Sequence, residues 1–411
     1  MDKRKRFFTI TYIAPLLLSV TLPMLILGLV YAQEGIYWGG ERTVMASDAF
    51  HQLSNFYASY HDVLQGKGSF LYSWYGSLGN NYWALSAYYI NGLFTFLVGV
   101  FDKSQMPDVM YLMTLLKFGA AGGTFYVFSQ QTTRLSKWLS SGLSVSYALM
   151  SFAVAYSPMM MWLDALVYLP LIILGIHRVM DQEKPLLLFL SYLLLFLSNF
   201  YMAFMVGVFS FLYYEGRLFT DRKRYAGSLP MYVLTSFLAG GASMITILPT
   251  LLDLMNNGEA LTPLGQWLTP DTGVWDVVAK SMVGVYDTAK FGSAPFTSVG
   301  LLPLLFAGAY FLLPTIPKKT RVLSAGMLLF LVVSVYIYPL NLFWHGFHAP
   351  NMLLFRFSFL LSFFVLVVAQ RALEQLSPET INPLVNVGLG MLGLFLATEF
   401  LANKRDYYYL I

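Results

Sequence analysis

"PLLLFLSYLLLFLSNFYMAFMVGVFSFLYY", residues 185–214, runs for about 30 residues with almost no polar group. A helix that crosses a bilayer takes about 20 apolar residues, so the stretch is long for one upright span and short for two. The basic residues after it decide between the readings. One tilted helix would put Arg217, Arg222, Lys223 and Arg224 outside the cell. Two short arms meeting at Ser198-Asn199-Phe200-Tyr201 would put them inside. Cytoplasmic loops carry the excess of Lys and Arg, which selects two arms.

Nine further apolar stretches are long enough to be spans: 7–31, 106–130, 138–157, 161–179, 227–250, 296–313, 322–340, 352–373 and 383–402. With the two arms, this predicts an all-α polytopic membrane protein of about eleven transmembrane helices, N-terminus inside. Sixteen of the 25 basic residues then fall on the inner side, and the acids show the reverse bias. Composition agrees. The chain has 411 residues, 57% hydrophobic and only 11% charged, against about 25% charged in a soluble domain.

The start, Met1-Asp2-Lys3-Arg4-Lys5-Arg6, precedes an apolar run to about Ala32. Val30-Tyr31-Ala32 is a passable cleavage site, but a signal peptide has an apolar region of only about 7–15 residues. An uncleaved anchor fits better. The chain ends with "NKRDYYYLI", residues 403–411, directly after the last span. That abrupt end is what the front part of a longer protein would show. The domain reading is therefore one transmembrane domain over 1–402 and a short outer end over 403–411.

The inner loops are short, and two outer segments are long, 32–105 and 251–295, so chemistry is expected on the outer face. The absence of cysteine excludes disulfides, thiolate metal sites and cysteine nucleophiles. With five histidines and no Cys, neither a metal nor another cofactor has support. No P-loop, dinucleotide fingerprint or Ser-His-Asp set is present. The basic residues do not cluster as a nucleic-acid surface.

The first outer segment holds "SDAFHQLSNFYASYHD", residues 47–62. At 100° per residue, 48–64 forms an amphipathic helix. Asp48, His51, Gln52, Asn55, Ser59 and Asp62 share one stripe; Phe50, Leu53, Tyr57, Tyr60 and Leu64 share the opposite one. Beside two anchors such a helix lies in the membrane interface. Ser47 could cap it, and Asp48 in the first turn suits the helix dipole. The competing reading makes Asp48 a general base, with His51, Gln52 and Asn55 behind it. Next comes "GKGSFLYSWYGSLGNNYWALSAYY", residues 66–89, with glycines marking turns and Tyr72, Trp74, Tyr75, Tyr82, Trp83, Tyr88 and Tyr89 between them. These aromatics form either an anchoring belt or a sugar platform, with Asn80 and Asn81 bonding hydroxyls. Residues 83–101 are expected to form a third amphipathic or shallow helix.

The run "SDAFHQLSNFY…GKGSFLYSWYGSLGNNYWALSAYYINGLFTFL" resembles the opening loop of the YfhO family of bacterial membrane proteins. "PNMLLFRFSFLLSF", residues 350–363, and "WLDALVYLPLIILGIHRVM", residues 162–180, carry the resemblance further. It implies a plan like that of GT-C glycosyltransferases. The partners implied are a polyprenyl-phosphate-linked sugar as donor, a glycopolymer acceptor such as lipoteichoic acid or a wall polysaccharide, and the lipid bilayer. A cytoplasmic-side polyprenyl-phosphate glycosyltransferase and a flippase would serve the same pathway. The protein would sit in the bacterial cell membrane with its long loops outside. The resemblance singles out Asp48 as the catalytic acid. Asn91-Gly92 departs from it, standing where Ser-Pro is expected, and typical members are about twice as long.

Sugar transfer needs a base for the acceptor hydroxyl and positive charge at the departing phosphate. Arg356, at the outer start of the tenth span, is the candidate for the second role; otherwise it is a snorkelling arginine. His345 and His348 lie just before it, a conceivable metal pair but for the glycine and proline around them. Tyr72, Trp74, Asn80, Tyr88 and His348 are further candidate substrate contacts. Asp164 either orients substrate or simply starts a helix. Lys117, mid-span, is a functional candidate by default; otherwise it bonds a carbonyl or pairs with Glu399. Asn199 is expected to satisfy backbone at the turn between the two arms. Lys117 and Asn199 are also the features that favour the alternative reading, a flippase or transporter of lipid-linked saccharides.

Overall fold

The structure is a computed structural model and describes residues 10–402 apart from Ser77, Glu259, Asp271, Tyr286 and Asp287. The basic run at 2–6 and the end at 403–411 lie outside the described residues.

The elements follow in chain order. Helix α1 (Ile10–Gln33) is followed by one π-helical turn (Ala49–Leu53) that runs into α2 (Ser54–Leu64). A two-stranded antiparallel hairpin, β1 (Tyr72–Ser73) and β2 (Asn80–Asn81), leads to α3 (Tyr82–Tyr89). Then come α4 (Met106–Thr132), α5 (Lys137–Ala148), α6 (Ser151–Ala155), α7 (Met160–Gln182), α8 (Leu186–Ser198), α9 (Phe200–Thr220), α10 (Arg222–Tyr225), α11 (Leu229–Ala242) and α12 (Met244–Asn256). The chain continues through α13 (Asp276–Ala279), α14 (Leu301–Tyr310), α15 (Lys318–Tyr336), α16 (Tyr338–Trp344), α17 (Ser358–Leu373) and α18 (Ile381–Leu401).

The protein is mostly helical, and every apolar stretch read as a span carries helix. Among the described residues, five helical segments are long and apolar enough to cross a membrane. The pair α11 and α12, bent by 66° at Ser243, makes a sixth if counted as one span. Helices α8, α14 and α17 are apolar but shorter. The stretch 185–214 does divide, at Asn199, whose φ of −160° and ψ of 99° interrupt the helix.

The chain forms two compact units. The first takes 10–128, 156–206 and 227–258. Helix α7 is its axis, with nearly every side chain buried, and α8 packs along it. Helix α1 is different. Leu17, Leu25 and Leu29 are more than half exposed, an apolar surface that calls for lipid. The second unit takes 129–155, 207–226 and 260–402. Its core is α17, packed on α14, while α15 and α18 turn most of their apolar surface outward.

The first loop departs from the expected pattern in four ways. The helix over 48–64 opens as a π turn, so a uniform 100° step holds only from Ser54 on. Ala49, Leu53 and Tyr57 are buried, but Phe50 and Leu64, assigned to the same apolar stripe, are exposed. Ser47 does not cap the helix; it sits at φ +53°, and its carbonyl accepts the N–H groups of Phe50 and His51. Residues 83–101 are not one helix either. Helix α3 ends at Tyr89, Phe94 takes φ +67°, and a single 3-10 stretch (Thr95–Gly99) follows.

Candidate functional site

Asp48 stands at the head of the π turn, half-exposed, with ordinary right-handed backbone. Its side chain makes no capping bond. A carboxylate at a helix start ordinarily accepts from the N–H groups of the first turn; here it is left over for other chemistry. π turns recur at functional sites. His51, exposed, follows on the same turn, and Asn55 Nδ2 donates to the His51 carbonyl at 3.1 Å.

Behind this surface a chain of polar contacts ties the loop to the helices of its unit. Tyr89 Oη donates to Gln52 Oε1 at 2.9 Å. Tyr88 packs edge-on to Tyr89, and Trp162 Nε1 donates to Tyr88 Oη at 3.0 Å. Asn199 Nδ2 donates to the Tyr88 carbonyl at 2.9 Å, and its Oδ1 accepts from Met202 N at 2.9 Å. Asn199 thus satisfies the start of α9, as expected at the break, and also holds α3 in place.

Asp164 lies deeper, with 0% of its side chain exposed. Lys117 Nζ sits 2.9 Å from its Oδ1 and donates to the Met160 carbonyl at 2.9 Å. Leu93 N donates to Asp164 Oδ2 at 3.2 Å. The pair pins the returning end of the first loop onto α4 and α7. A Cβ at Gly92 would stand 2.4 Å from Asp164 Oδ2, so the chain passes over the carboxylate only because residue 92 is glycine. A proline there would collide, which gives the Asn91-Gly92 departure a local reason. The acid that Lys117 meets is Asp164 rather than Glu399. Tyr57, fully buried nearby, has its phenol pushed well up by burial and, second, by the Asp164 charge.

Tyr72 and Asn80, on the paired strands, line a cleft of about 850 Å³ together with Trp83 and with Pro249 and Asp253 of α12. Trp74 stands on the hairpin beside Tyr72, ring centroids 4.9 Å apart, and is 75% exposed. The sequence reading missed Asp253. A lone acid near the end of an apolar helix gives no local signal, and its partners in the cleft are distant in the chain. At the far end of α2, Lys103 donates to Asp62, which holds that carboxyl below its usual range.

A family model described as bacterial membrane protein YfhO matches residues 19–411. The chain belongs to the YfhO family. Among curated proteins it is similar to the uncharacterized protein YfhO of Bacillus subtilis (strain 168), with 23% identity over 337 residues. That match covers 75% of this chain and 36% of the relative, so the chain spans well under half of the relative's length. No solved structure matches. The stretches that carried the resemblance to YfhO, within 47–97, 162–180 and 350–363, all lie inside the matched region.

Three of the residues singled out, Arg356, His345 and His348, belong to the second unit of this chain. Arg356 sits two residues before α17. Its Nε donates to the Leu353 carbonyl at 3.1 Å and its Nη2 reaches the Met352 carbonyl at 3.4 Å. It thereby clamps a loop in which Met352, Leu353 and Phe355 all have positive φ. His348 is exposed, whereas His345 is buried, which does not suit a metal pair. Among the described residues no group of three or more His, Asp or Glu is placed to hold a metal. Lys280 lies buried with its Nζ 4.0 Å from the Phe296 ring centroid.

His345 carries a testable pH dependence. Its Nδ1 lies 2.7 Å from the Asn341 carbonyl and so carries the proton. Burial, and the Arg356 charge behind it, pull the ring's pKa from 6.5 down to about 3. Between those values the unfolded chain binds the extra proton and the folded one does not. Stability therefore falls as pH drops below about 6.5, by several kcal/mol at the acid end. Thermal unfolding in detergent should show this decline, and His345→Phe should flatten it. Equal slopes for the two proteins would refute the assignment.

Proposed function

We propose that this chain is the membrane part of a glycosyltransferase, built on about eleven spans in a GT-C-like plan. It moves a sugar from a polyprenyl-phosphate-linked donor to a cell-surface polymer, lipoteichoic acid or a wall polysaccharide, on the outer face of a bacterial membrane. The observation that carries the reading is the carboxylate of Asp48, half-exposed at a π turn with no capping bond to make.

In this reaction the acceptor oxygen attacks the anomeric carbon, and Asp48 takes the hydroxyl proton as the new C–O bond forms. The old bond from that carbon to the phosphate oxygen breaks, and polyprenyl phosphate departs with the electron pair. Departing phosphate needs positive charge; Arg356 stays in the proposal for that role on its charge alone. His51, Gln52, Asn55, Tyr88 and His348 stay in it as substrate contacts. Asp164 enters as a positioning residue, because its carboxylate is engaged by Lys117 and Leu93 N.

The transporter reading drew on Lys117 and Asn199. Both side chains have protein partners, so neither supplies a vacant polar group inside the bundle. The test supplies a polyprenyl-phosphate sugar and a membrane acceptor to the purified protein and to Asp48→Asn, and measures released polyprenyl phosphate. Undiminished release by the variant removes Asp48 as base. Movement of lipid-linked sugar between leaflets, with no release at all, restores the transporter.

A further inference from the structure

The cleft of about 850 Å³ in the first unit has two walls. One is the β1–β2 hairpin with the first turn of α3. The other is the stripe of α12 on which Ile245, Pro249 and Asp253 recur every four residues. Trp83 Nε1 donates to the Ile245 carbonyl at 2.8 Å and joins the two walls. The edge contact with Phe70, ring centroids 4.9 Å apart, fixes the indole. Tyr72 folds across the hairpin toward the turn, where its Oη reaches the Leu78 carbonyl at 3.4 Å. That path exists because residue 79 is glycine: it has φ +107°, and a Cβ there would collide with the Tyr72 hydroxyl.

The polar side chains are the amides of Asn80, Asn81 and Asn257, the Tyr72 hydroxyl and one carboxylate, Asp253. Asn80 Oδ1 is buried without a partner. Asp253 is half-exposed, and its carboxylate makes no hydrogen bond or ion pair among the described residues. The lining holds no Lys or Arg. A pocket of this size, apolar and aromatic with a few convergent acceptors, is what a small organic ligand occupies. Carbonyl and carboxylate oxygens accept protons from hydroxyls, and aromatic rings cover apolar C–H faces. A fixed carboxylate with no cation beside it repels phosphate.

We infer that this cleft binds an uncharged hexopyranose unit, with Asp253 and Asn80 accepting its hydroxyl protons and Trp83 and Tyr72 covering its apolar face. The choice of a sugar rests on the transfer reading; the exclusion of phosphate rests on the lining alone.

The experiment is isothermal titration calorimetry of the full chain in detergent. The probes are maltotriose and chitotriose, each a neutral pyranose chain, with glycerol phosphate as the anionic comparison. Saturable binding of at least one trisaccharide is expected, weakened about tenfold or more by Asp253→Ala, in keeping with about 1.4 kcal/mol per decade. Asp253 makes no hydrogen bond or ion pair among the described residues that its removal would break, so the variant should keep the parent's melting temperature. Gly79→Ala, which displaces Tyr72 without touching an acceptor, should weaken binding as well. No binding of either trisaccharide overturns the proposal. So does tighter binding of glycerol phosphate, or binding indifferent to both substitutions. A protein that binds saccharide through Asp253 but transfers none loses the transfer reading and keeps the cleft. One that transfers sugar without Asp253-dependent binding keeps the transfer reading and loses the cleft.

Discussion

Under the proposed transfer, Asp48→Asn is expected to lower sugar transfer by about 10²- to 10⁴-fold, the range a positioned proton acceptor contributes, and to leave the fold intact. The two halves of that expectation have separate grounds. The carboxylate makes no capping bond, and Asn is as good as Asp at a helix start, so the amide costs the helix little. The amide cannot take a proton at neutral pH, so the chemical step loses its base. A fall in kcat with KM nearly unchanged is the signature of an interaction made only in the transition state. A rise in KM alone would instead make Asp48 a binding residue. Asp48→Glu keeps the chemistry and moves the carboxylate by one methylene; partial activity there separates a proton acceptor from a mere spacer.

Lys117→Met has the largest expected effect on stability, about 3–5 kcal/mol, because it leaves Asp164 as a buried charge with no counter-charge. Asp164→Leu should cost a similar amount for the mirror reason. The double variant should recover most of the loss, since replacing a whole buried pair by apolar groups of similar volume is often neutral or better. Thermal unfolding of the parent, both single variants and the double variant forms a cycle whose coupling term isolates the pair. Additive losses would mean that the two residues stabilise the unit separately. The double variant also loses the bond from Leu93 N to Asp164 Oδ2. Any residual deficit reports the end of the first loop coming free.

Much of this fold is written in composition and charge. Apolar length located the helices, and the basic run after residue 214 argued for a break in 185–214 that the backbone makes at Asn199. What escaped notice depends on local geometry or on distant partners. The π turn at Ala49–Leu53 escaped because a fixed 100° step is built into the periodicity argument. The bend at Ser243 escaped because Gly240, Gly241 and Ser243 break a helix without interrupting its apolar run. Lys117 stood out as an ion in an apolar segment, but nothing near it in sequence names Asp164. The cleft was half visible: Tyr72 and Asn80 lie in an evident aromatic loop, whereas Asp253 comes from α12, far along the chain.

The pairing of Lys117 with Asp164 also bears on how the chain is made. α4 leaves the ribosome before α7, and a buried lysine with no counter-charge is costly. Until Asp164 has been synthesised, the carboxylate that Lys117 pairs with in the folded unit is missing. The fourth helix thus cannot reach its final partner in strict order of translation. It waits for the seventh, and the Leu93 anchor of the first loop waits with it. Nascent chains arrested between residues 117 and 164 should leave α4 accessible to water-soluble probes, and chains extended past α7 should not.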